Sequence, residues 1–321
     1  MTWQLPDAVT IVEVGPRDGL QNEPGTVATD VKIGFIERLA ATGLGVVEAT
    51  SFVSPRWVPQ LADAAEVLAG LTRRPDVRYP VLVPNERGLD GALAAGVDEV
   101  AVFGAASEGF SRANLGRSID ESLAMFAPVV TRATDAGLRV RGYVSTVCGC
   151  PFQGEVPVDD VRRVTTALLE LGCVEVSLGD TIGVGTPVQV QDLIAALTGD
   201  VPLDRLAVHC HDTYGQGLAN TLAAFEAGVR VADTSAGGLG GCPYAPGATG
   251  NLATEDLVYA LDGAAVHTGV DLAALVDVSA WMADRLGRAP TSRVARATLA
   301  KRALADEVSA AGSATRDDSS A

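Results

Sequence analysis

The chain has 321 residues, of which 47% are apolar and 20% charged, proportions that are ordinary for a soluble globular protein. A formal net charge of −16 argues against a nucleic-acid partner, because non-specific binding to nucleic acid needs a positive surface. No apolar run reaches the length of a membrane span, and Met1–Ala8 lacks the apolar core of a secretory signal. We therefore expect a cytoplasmic protein with free thiols and no membrane partner.

Short β-branched runs alternate with longer amphipathic stretches from end to end. The runs predict strands at Val9–Val14, Leu44–Ala49, Tyr79–Val83, Glu99–Phe103, Leu138–Thr146, Val174–Leu178, Leu206–His211 and Val229–Thr234. Helical spacing predicts helices at Asp30–Thr42, Leu61–Leu71, Gly88–Ala95, Ile119–Ala136, Pro157–Leu171, Pro187–Leu197, Gly217–Ala227 and Thr254–Leu261.

This regular alternation predicts parallel strands joined by right-handed helical connections. Eight strand–helix units in about 250 residues are typical of a (β/α)8 TIM barrel, in the α/β class. An open doubly wound sheet is the alternative, but no nucleotide-binding fingerprint follows the first strand. We predict one catalytic domain over residues 1–305 and a disordered tail over residues 306–321, which are rich in Ser, Ala and Asp.

Chemically capable side chains collect at one end of these predicted strands. In a TIM barrel the active site lies at the carboxyl ends of the strands. The side chains that fall there are Arg17, Asp18, Glu48, Asp180, His209, His211, Cys242 and Asn251. The sequence therefore predicts that they line one rim.

The two histidines of this set suggest a metal site. His209 and His211 are two residues apart on a strand, so they share one face, whereas Cys210 faces the helices. A hydrogen-bonded structural histidine is the alternative, but Asp18 and Asn251 add oxygen donors, which favours a metal. A mixed nitrogen and oxygen set with room for water suits Mg²⁺ or Mn²⁺ better than a closed structural zinc site.

Cys242 lies on a glycine-rich loop, where glycines permit close approach to a ligand. We interpret it as an acid/base thiol, and the alternative is a connector that happens to contain a cysteine. Arg17 can stabilise an oxyanion, or it can form an ion pair with Glu48 or Asp180. Asp180 can act as a general acid/base, or it can order Arg17 and the surroundings of the metal.

The remaining cysteines and the third histidine carry weaker signals. Cys148 and Cys150 form a single C-x-C without a second pair, so we expect buried thiols rather than a metal site. Cys173 begins a predicted strand and is expected in the core. His267 is expected at the surface.

Several motifs carry a resemblance to a known family. They are Ile11–Glu23, Glu48–Pro55, Ser177–Gly183, His209–Gln216, Gly238–Tyr244 and Gly250–Asp256. In these motifs the chain resembles the 3-hydroxy-3-methylglutaryl-CoA lyases. The aspartate and the His-x-His also occur in related metal-dependent aldolases and in 2-isopropylmalate and homocitrate synthases. The cysteine loop separates the lyases from these enzymes.

The resemblance implies a TIM-barrel enzyme that cleaves (S)-3-hydroxy-3-methylglutaryl-CoA, an acyl-CoA, to acetyl-CoA and acetoacetate in leucine degradation and ketone-body metabolism. It also implies a homodimer and a divalent metal, Mg²⁺ or Mn²⁺. The implied metal ligands are Asp18, His209, His211 and Asn251. The implied catalytic residues are Arg17 at the enolate oxygen, Cys242 in proton transfer, and Glu48, Asp180 and His209 in supporting or acid/base roles. Arg17 and Gln21 are implied to contact substrate.

Two other functions stay open at this point. A lyase for 3-hydroxy-3-isohexenylglutaryl-CoA would keep this machinery and differ mainly in pocket width. A catalytically silent metal-binding protein would be expected to lack at least one rim residue, and none is missing from the sequence. Arg112 and Arg141 are candidates for contact with the phosphates of the coenzyme A tail.

Overall fold

The computed structural model describes residues 4–241 and 250–317. Its strands are β1 (Thr10–Glu13), β2 (Val46–Val47), β3 (Thr50–Ser51), β4 (Val81–Leu82), β5 (Glu99–Ala105), β6 (Arg139–Ser145), β7 (Glu175–Asp180), β8 (Leu206–Cys210) and β9 (Val231–Thr234). They form one sheet in the order β2-β1-β9-β8-β7-β6-β5-β4-β3, and all of its strand pairs are parallel. The predicted parallel α/β architecture is therefore confirmed.

The two ends of this strand order are neighbours along the chain. The predicted strand Leu44–Ala49 occurs as β2 and β3, with only Glu48 and Ala49 between them. The Glu48 amide donates to the Glu13 carbonyl at 2.8 Å, and the Ala49 amide donates to the Pro80 carbonyl at 2.9 Å. Because consecutive amides bond to opposite neighbours, this short segment joins the two edges of a curled sheet.

Every predicted helix is present, with ends shifted by a few residues. The helices are α1 (Thr29–Ala40), α2 (Ala64–Gly70), α3 (Glu86–Ala94), α4 (Glu108–Leu115), α5 (Ile119–Asp135), α6 (Val158–Leu171), α7 (Pro187–Leu197), α8 (Gly217–Glu226), α9 (Thr254–Gly263), α10 (Leu272–Leu286) and α11 (Arg293–Asp317). Helices α4, α10 and α11 were not predicted. None of the helices in the described ranges combines the length and apolarity required to cross a bilayer.

The disordered tail expected over residues 306–321 stays a prediction. Helix α11 continues through residues 306–317, the first part of the segment predicted to be disordered. Alanine is frequent in this segment, and it has the highest intrinsic helix propensity of any residue. A composition that lacks apolar residues for a core can therefore still form a single helix.

The sheet separates two different environments. Its outer face packs against the helices through fully buried apolar side chains such as Phe35, Phe126 and Leu168. We define the inner face by residues that occupy paired register positions on adjacent strands: Val12, Arg141, Tyr143, Glu175, Ser177, His209 and Asp233. Most of these inner-face residues are polar or charged. The active-site candidates among the described residues lie at the carboxyl end of this face.

Candidate active site

A single π-helical turn, Gly15–Gly19, ends the first strand and presents Arg17 and Asp18. The amide of Asp18 donates to the Val14 carbonyl at 2.8 Å, and the amide of Gly19 donates to the same carbonyl at 3.1 Å. Such turns are rare in proteins, and those that occur are often found at functional sites. Here the turn places two oppositely charged side chains at the strand end.

Arg17 is held by carboxylates on both sides. Its Nε donates to Glu48 Oε2 at 2.7 Å and its Nη1 to Asp18 Oδ1 at 2.6 Å. The guanidinium also lies over the Tyr143 ring, 5.4 Å from its centroid. Burial opposes the charge, but Glu48 and Asp18 outweigh it and raise the pKa of Arg17. The predicted ion pair with Glu48 is confirmed, whereas Asp180 is not the partner of Arg17 in the structure.

The predicted metal ligands come together. Asp18, His209 and His211 each offer a ligand atom, and these atoms lie within 4.8 Å of one another. Asn251 pairs with His211 in an isolated antiparallel bridge. Its amide nitrogen donates to Asp18 Oδ2 at 2.9 Å and to the Leu239 carbonyl at 3.1 Å, which leaves the amide oxygen as its potential ligand.

The electrostatics of this cluster suit a cation. Burial raises the pKa of Asp18, but Arg17 and the two histidines outweigh it and lower the value to about 2, so the carboxylate is ionised. Burial and the neighbouring His209 lower the pKa of His211 to about 4, so its ring is neutral at pH 7. Among the described residues, the buried His211 Nδ1 has no hydrogen-bond partner. An ionised oxygen and a neutral imidazole are what a divalent ion requires.

Asp180, at the end of β7, is directed to its own loop. Its carboxylate accepts from the amides of Val184 at 3.1 Å and Gly185 at 2.9 Å. Burial outweighs these hydrogen bonds and raises the pKa of Asp180 to about 6. A carboxyl group with this pKa can exchange a proton near neutral pH. The prediction that it orders Arg17 is wrong, while an acid/base role stays open.

The glycine-rich loop leaves and returns beside Asn251. A side chain at Gly240 (φ +127°) would place its Cβ 2.6 Å from Asn251 Nδ2, and one at Gly250 (φ +95°) would approach the Gly240 carbonyl to 2.5 Å. Glycine is required at both positions. Cys242 lies outside the described residues, so the thiol role stays a prediction. The preceding residue, Gly241, accepts a hydrogen bond from Asn22 Nδ2 at 2.8 Å.

Two buried carboxylates that the sequence analysis missed hold the turn before this loop. Glu13 accepts from the Ala236 amide at 2.9 Å and from Thr254 Oγ1 at 2.6 Å. Glu255 accepts from the Gly237 amide at 2.9 Å. Burial raises the pKa of each carboxyl to about 7. Their role could not be predicted because their partners are distant in the sequence or belong to the backbone.

A group of charged residues that the sequence did not predict as part of the site lies on the inner face below the cluster. Asp233 Oδ2 lies 3.2 Å from His209 Nδ1. Arg141 binds Asp233 and Glu175 and is only 2% exposed. The prediction that Arg141 meets the coenzyme A phosphates is therefore wrong. Charged residues within apolar strand runs could have indicated this network, because a buried charge requires a partner of opposite charge.

The other candidates are more peripheral. Gln21 follows the π turn and is partly buried. Arg112 is exposed on α4, 3.6 Å from Glu108, and its contact with coenzyme A stays a prediction. The buried positions of Cys148, Cys150 and Cys173 are confirmed. The predicted exposure of His267 is also confirmed.

Comparison with known proteins gives a consistent result. A family model described as HMGL-like matches residues 8–282. The mitochondrial hydroxymethylglutaryl-CoA lyase of Bos taurus is 58% identical over 294 residues, which cover 92% of this chain and 90% of the relative. The cytoplasmic 3-hydroxy-3-methylglutaryl-CoA lyase of Rattus norvegicus is 52% identical over 298 residues, which cover 93% of this chain and 87% of the relative.

Solved structures agree with these relatives. The hydroxymethylglutaryl-CoA lyase of Pseudomonas aeruginosa superposes with a TM-score of 0.91 at 53% identity and covers 92% of this chain and 99% of its own. The lyase of Acinetobacter baumannii, in complex with coenzyme A and 3-methylmalate, superposes with a TM-score of 0.87 at 40% identity. The match covers 91% of this chain and 95% of the solved chain. Sequence and fold therefore point to the same set of proteins.

Proposed function

Since the chain belongs to the hydroxymethylglutaryl-CoA lyase family, we propose that it cleaves (S)-3-hydroxy-3-methylglutaryl-CoA to acetyl-CoA and acetoacetate at the rim described above. The observation that carries the proposal is the cluster of Asp18, His209 and His211 directly beside Arg17. It unites a potential cation site with a fixed positive charge, in a chain that matches lyases over 92% of its length.

The residues of the cluster fit a divalent metal ion. Asp18, His209, His211 and Asn251 would hold it, with two imidazoles and two oxygen donors. Mg²⁺ or Mn²⁺ suits this mixed set. When bound, the ion would lower the pKa of the substrate's tertiary hydroxyl and fix its orientation. The orphaned His211 Nδ1 and the low pKa of Asp18 support this assignment.

The cleavage is a retro-Claisen reaction. A base removes the proton of the C3 hydroxyl, and the C2–C3 bond breaks as the C3 oxygen becomes the ketone of acetoacetate. The electron pair of the broken bond moves into the thioester and forms an enolate. Protonation of C2 then gives acetyl-CoA. The site must therefore accept one proton, stabilise one negative charge and return one proton.

Arg17 would stabilise the enolate oxygen. Its Nε and Nη1 are engaged by Glu48 and Asp18, while Nη2 makes no hydrogen bond within the described part of the chain. Glu48 thus fixes the guanidinium in place before substrate arrives. A preorganised positive charge acts most strongly where negative charge develops in the transition state.

We assign the proton transfers to three residues. Asp180, whose pKa is raised to about 6, would serve as an acid/base group, with His209 as a second participant. Cys242 would protonate C2 of the enolate. Gly240 and Gly250 support this role because, without side chains, Gly240 can lie close to Asn251 and the two glycines can lie close to each other. Gln21 would contact substrate together with Arg17.

Several broader features belong to the same proposal. We interpret the curled sheet as a closed (β/α)8 barrel within a catalytic domain over residues 1–305, supported by the bonds of Glu48 and Ala49 to opposite strands. The relatives named above support the methyl substrate over the isohexenyl one, and a coenzyme A thioester as the partner. Relatives include mitochondrial and cytoplasmic forms, so a cytoplasmic location stays a prediction, as do the homodimer and the place in leucine degradation.

A coupled assay of acetoacetate release tests the proposal. Protein treated with a chelator and then dialysed would be given the (S)-thioester with and without Mg²⁺ or Mn²⁺. We expect cleavage only with added metal, and faster cleavage of the methyl than of the isohexenyl substrate. Absence of acetoacetate with either metal would contradict the lyase function. Full activity after verified metal removal would contradict the metal site.

A further inference from the structure

The inner face places an ionic network directly beneath His209. Asp233 on β9 occupies the register position paired with His209 on β8. The Asp233 side chain has no exposed surface, and its Oδ2 lies 3.2 Å from His209 Nδ1. Asp233 is not a member of the potential metal cluster. It therefore contacts the Nδ1 atom of a candidate ligand without belonging to the cluster itself.

The other partners of Asp233 determine which atom carries the proton in this contact. Arg141 Nη2 donates to Asp233 Oδ1 at 2.7 Å and Nη1 to Oδ2 at 3.1 Å, and Ser177 Oγ donates to Oδ2 at 2.8 Å. A guanidinium can only donate, so both Asp233 oxygens are acceptors and the carboxylate is ionised. The hydrogen of the His209 contact must then lie on Nδ1. In the neutral imidazole, the lone pair is consequently on Nε2.

We propose that Asp233, itself held by Arg141 and Ser177, is a positioning residue that fixes the tautomer and orientation of His209 and so presents Nε2 to a divalent cation. The inference rests on the proposed metal site and deepens it. Carboxylates that accept from the second nitrogen of a ligating histidine orient the ring and raise its basicity. Arg141 contributes indirectly by keeping the carboxylate ionised and immobile.

The network also offers a matched control. Glu175 Oε1 accepts from Arg141 Nε at 2.6 Å, on a different nitrogen from those that bind Asp233. Glu175 is thus a partner of the same guanidinium, but His209 is not among its contacts. If the network were purely structural, substitution of Asp233 and substitution of Glu175 would have the same effect on metal affinity. If Asp233 positions His209, only the substitution of Asp233 lowers metal affinity.

The first test compares Mn²⁺ affinity, by electron paramagnetic resonance, for wild type, Asp233→Asn and Glu175→Gln. The amide introduced by Asp233→Asn is neutral and cannot satisfy Arg141 and His209 as the carboxylate does. We expect Asp233→Asn to weaken Mn²⁺ binding roughly 10–100-fold, as for other residues that orient metal ligands. Glu175→Gln should stay within about threefold, since it does not touch the ligand. Circular dichroism would verify that both variants are folded.

A second measurement determines the tautomer of His209 directly. The chain has three histidines, so long-range ¹H–¹⁵N correlation spectra of the Mg²⁺-loaded protein can be assigned with few substitutions. We expect His209 to carry its proton on Nδ1 and its lone pair on Nε2. A proton on Nε2, or equal Mn²⁺ affinity of wild type and Asp233→Asn, would overturn the positioning role of Asp233 and leave the proposed metal site intact. Wild type that binds no Mn²⁺ would overturn the metal site as well.

Discussion

The inner and outer faces of the sheet are built on different principles. On the outer face, Phe126 and Leu168 belong to one continuous apolar cluster between sheet and helices. On the inner face, apolar packing is limited to small groups around Val12 and Leu82, and fully buried charges occupy much of the remainder. Arg141 with Asp233 is the centre of this charged region.

The difference indicates a division of labour. Burial of apolar surface is the dominant stabilising term in folding. A buried ion pair contributes little net stability, because desolvation of both charges offsets their attraction. The inner network is therefore poorly explained as a stabilising device. Its position beneath His209 explains it better as the support of the site. Variants on the two faces should separate these roles.

The largest effect is expected for Arg17→Met. Methionine approximates the length of the side chain but removes the charge at the proposed enolate position. We expect kcat to fall about 10²–10³-fold or more, with a much smaller change in KM, because the interaction is strongest in the transition state. Steady-state kinetics with the (S)-thioester would measure both. A change confined to KM would show that Arg17 only binds substrate.

Arg141→Met tests the inner face without touching the rim. The substitution leaves Asp233 and Glu175 buried without their common cation. Removal of one partner of a buried ion pair costs about 3–5 kcal/mol. Urea denaturation should show this loss, together with weakened Mn²⁺ binding in the protein that remains folded. Unchanged stability would mean that water or other groups compensate the two carboxylates.

Leu168→Ala is the matched test of the outer face. Leu168 is fully buried and packs against β6 at Gly142, one residue from Arg141 along the chain. A cavity of this type costs about 2–5 kcal/mol. We expect that loss of stability in urea with unchanged Mn²⁺ affinity and little change in kcat. A large loss of metal binding here would contradict the division of labour between the faces.

A further effect concerns pH. Burial raises the pKa of Glu13 and Glu255 from the ordinary value of 4.5 to about 7 in the folded protein. Between these values the folded state binds more protons than the unfolded state, so stability should decrease as pH rises from 4.5 to 7. Denaturation at several pH values, compared with Glu13→Gln and Glu255→Gln, would measure it. An equally steep profile in the double variant would assign the dependence to other groups.

The candidate site at the rim could be predicted because it depends on local sequence patterns and on the strand ends that these patterns define. Parallel strands and helices follow from periodicity, and the fold places polar residues at strand ends such as His209 and His211 together. The network below it was not predictable, because Arg141 and Asp233 are 92 residues apart and meet only through the strand order. The ion pair of Arg17 was left open between Glu48 and Asp180 for the same reason. In the structure, the strand order and the direction of the side chain place Arg17 against Glu48.

Helix α11 illustrates a different limit. Its alanine-rich end has the composition of a segment without a core, and the structure continues it as a helix to Asp317. Alanine favours the helical state of such a segment because its intrinsic helix propensity is high. Composition alone does not separate such a helix from a disordered tail.

Anomalous diffraction from Mn²⁺-soaked crystals tests the central claim most directly. We expect a peak bounded by Asp18, His209, His211 and Asn251, with His209 bound through Nε2 and its Nδ1 still on Asp233. No anomalous peak at this cluster at saturating Mn²⁺, or coordination of His209 through Nδ1, would contradict the proposed site.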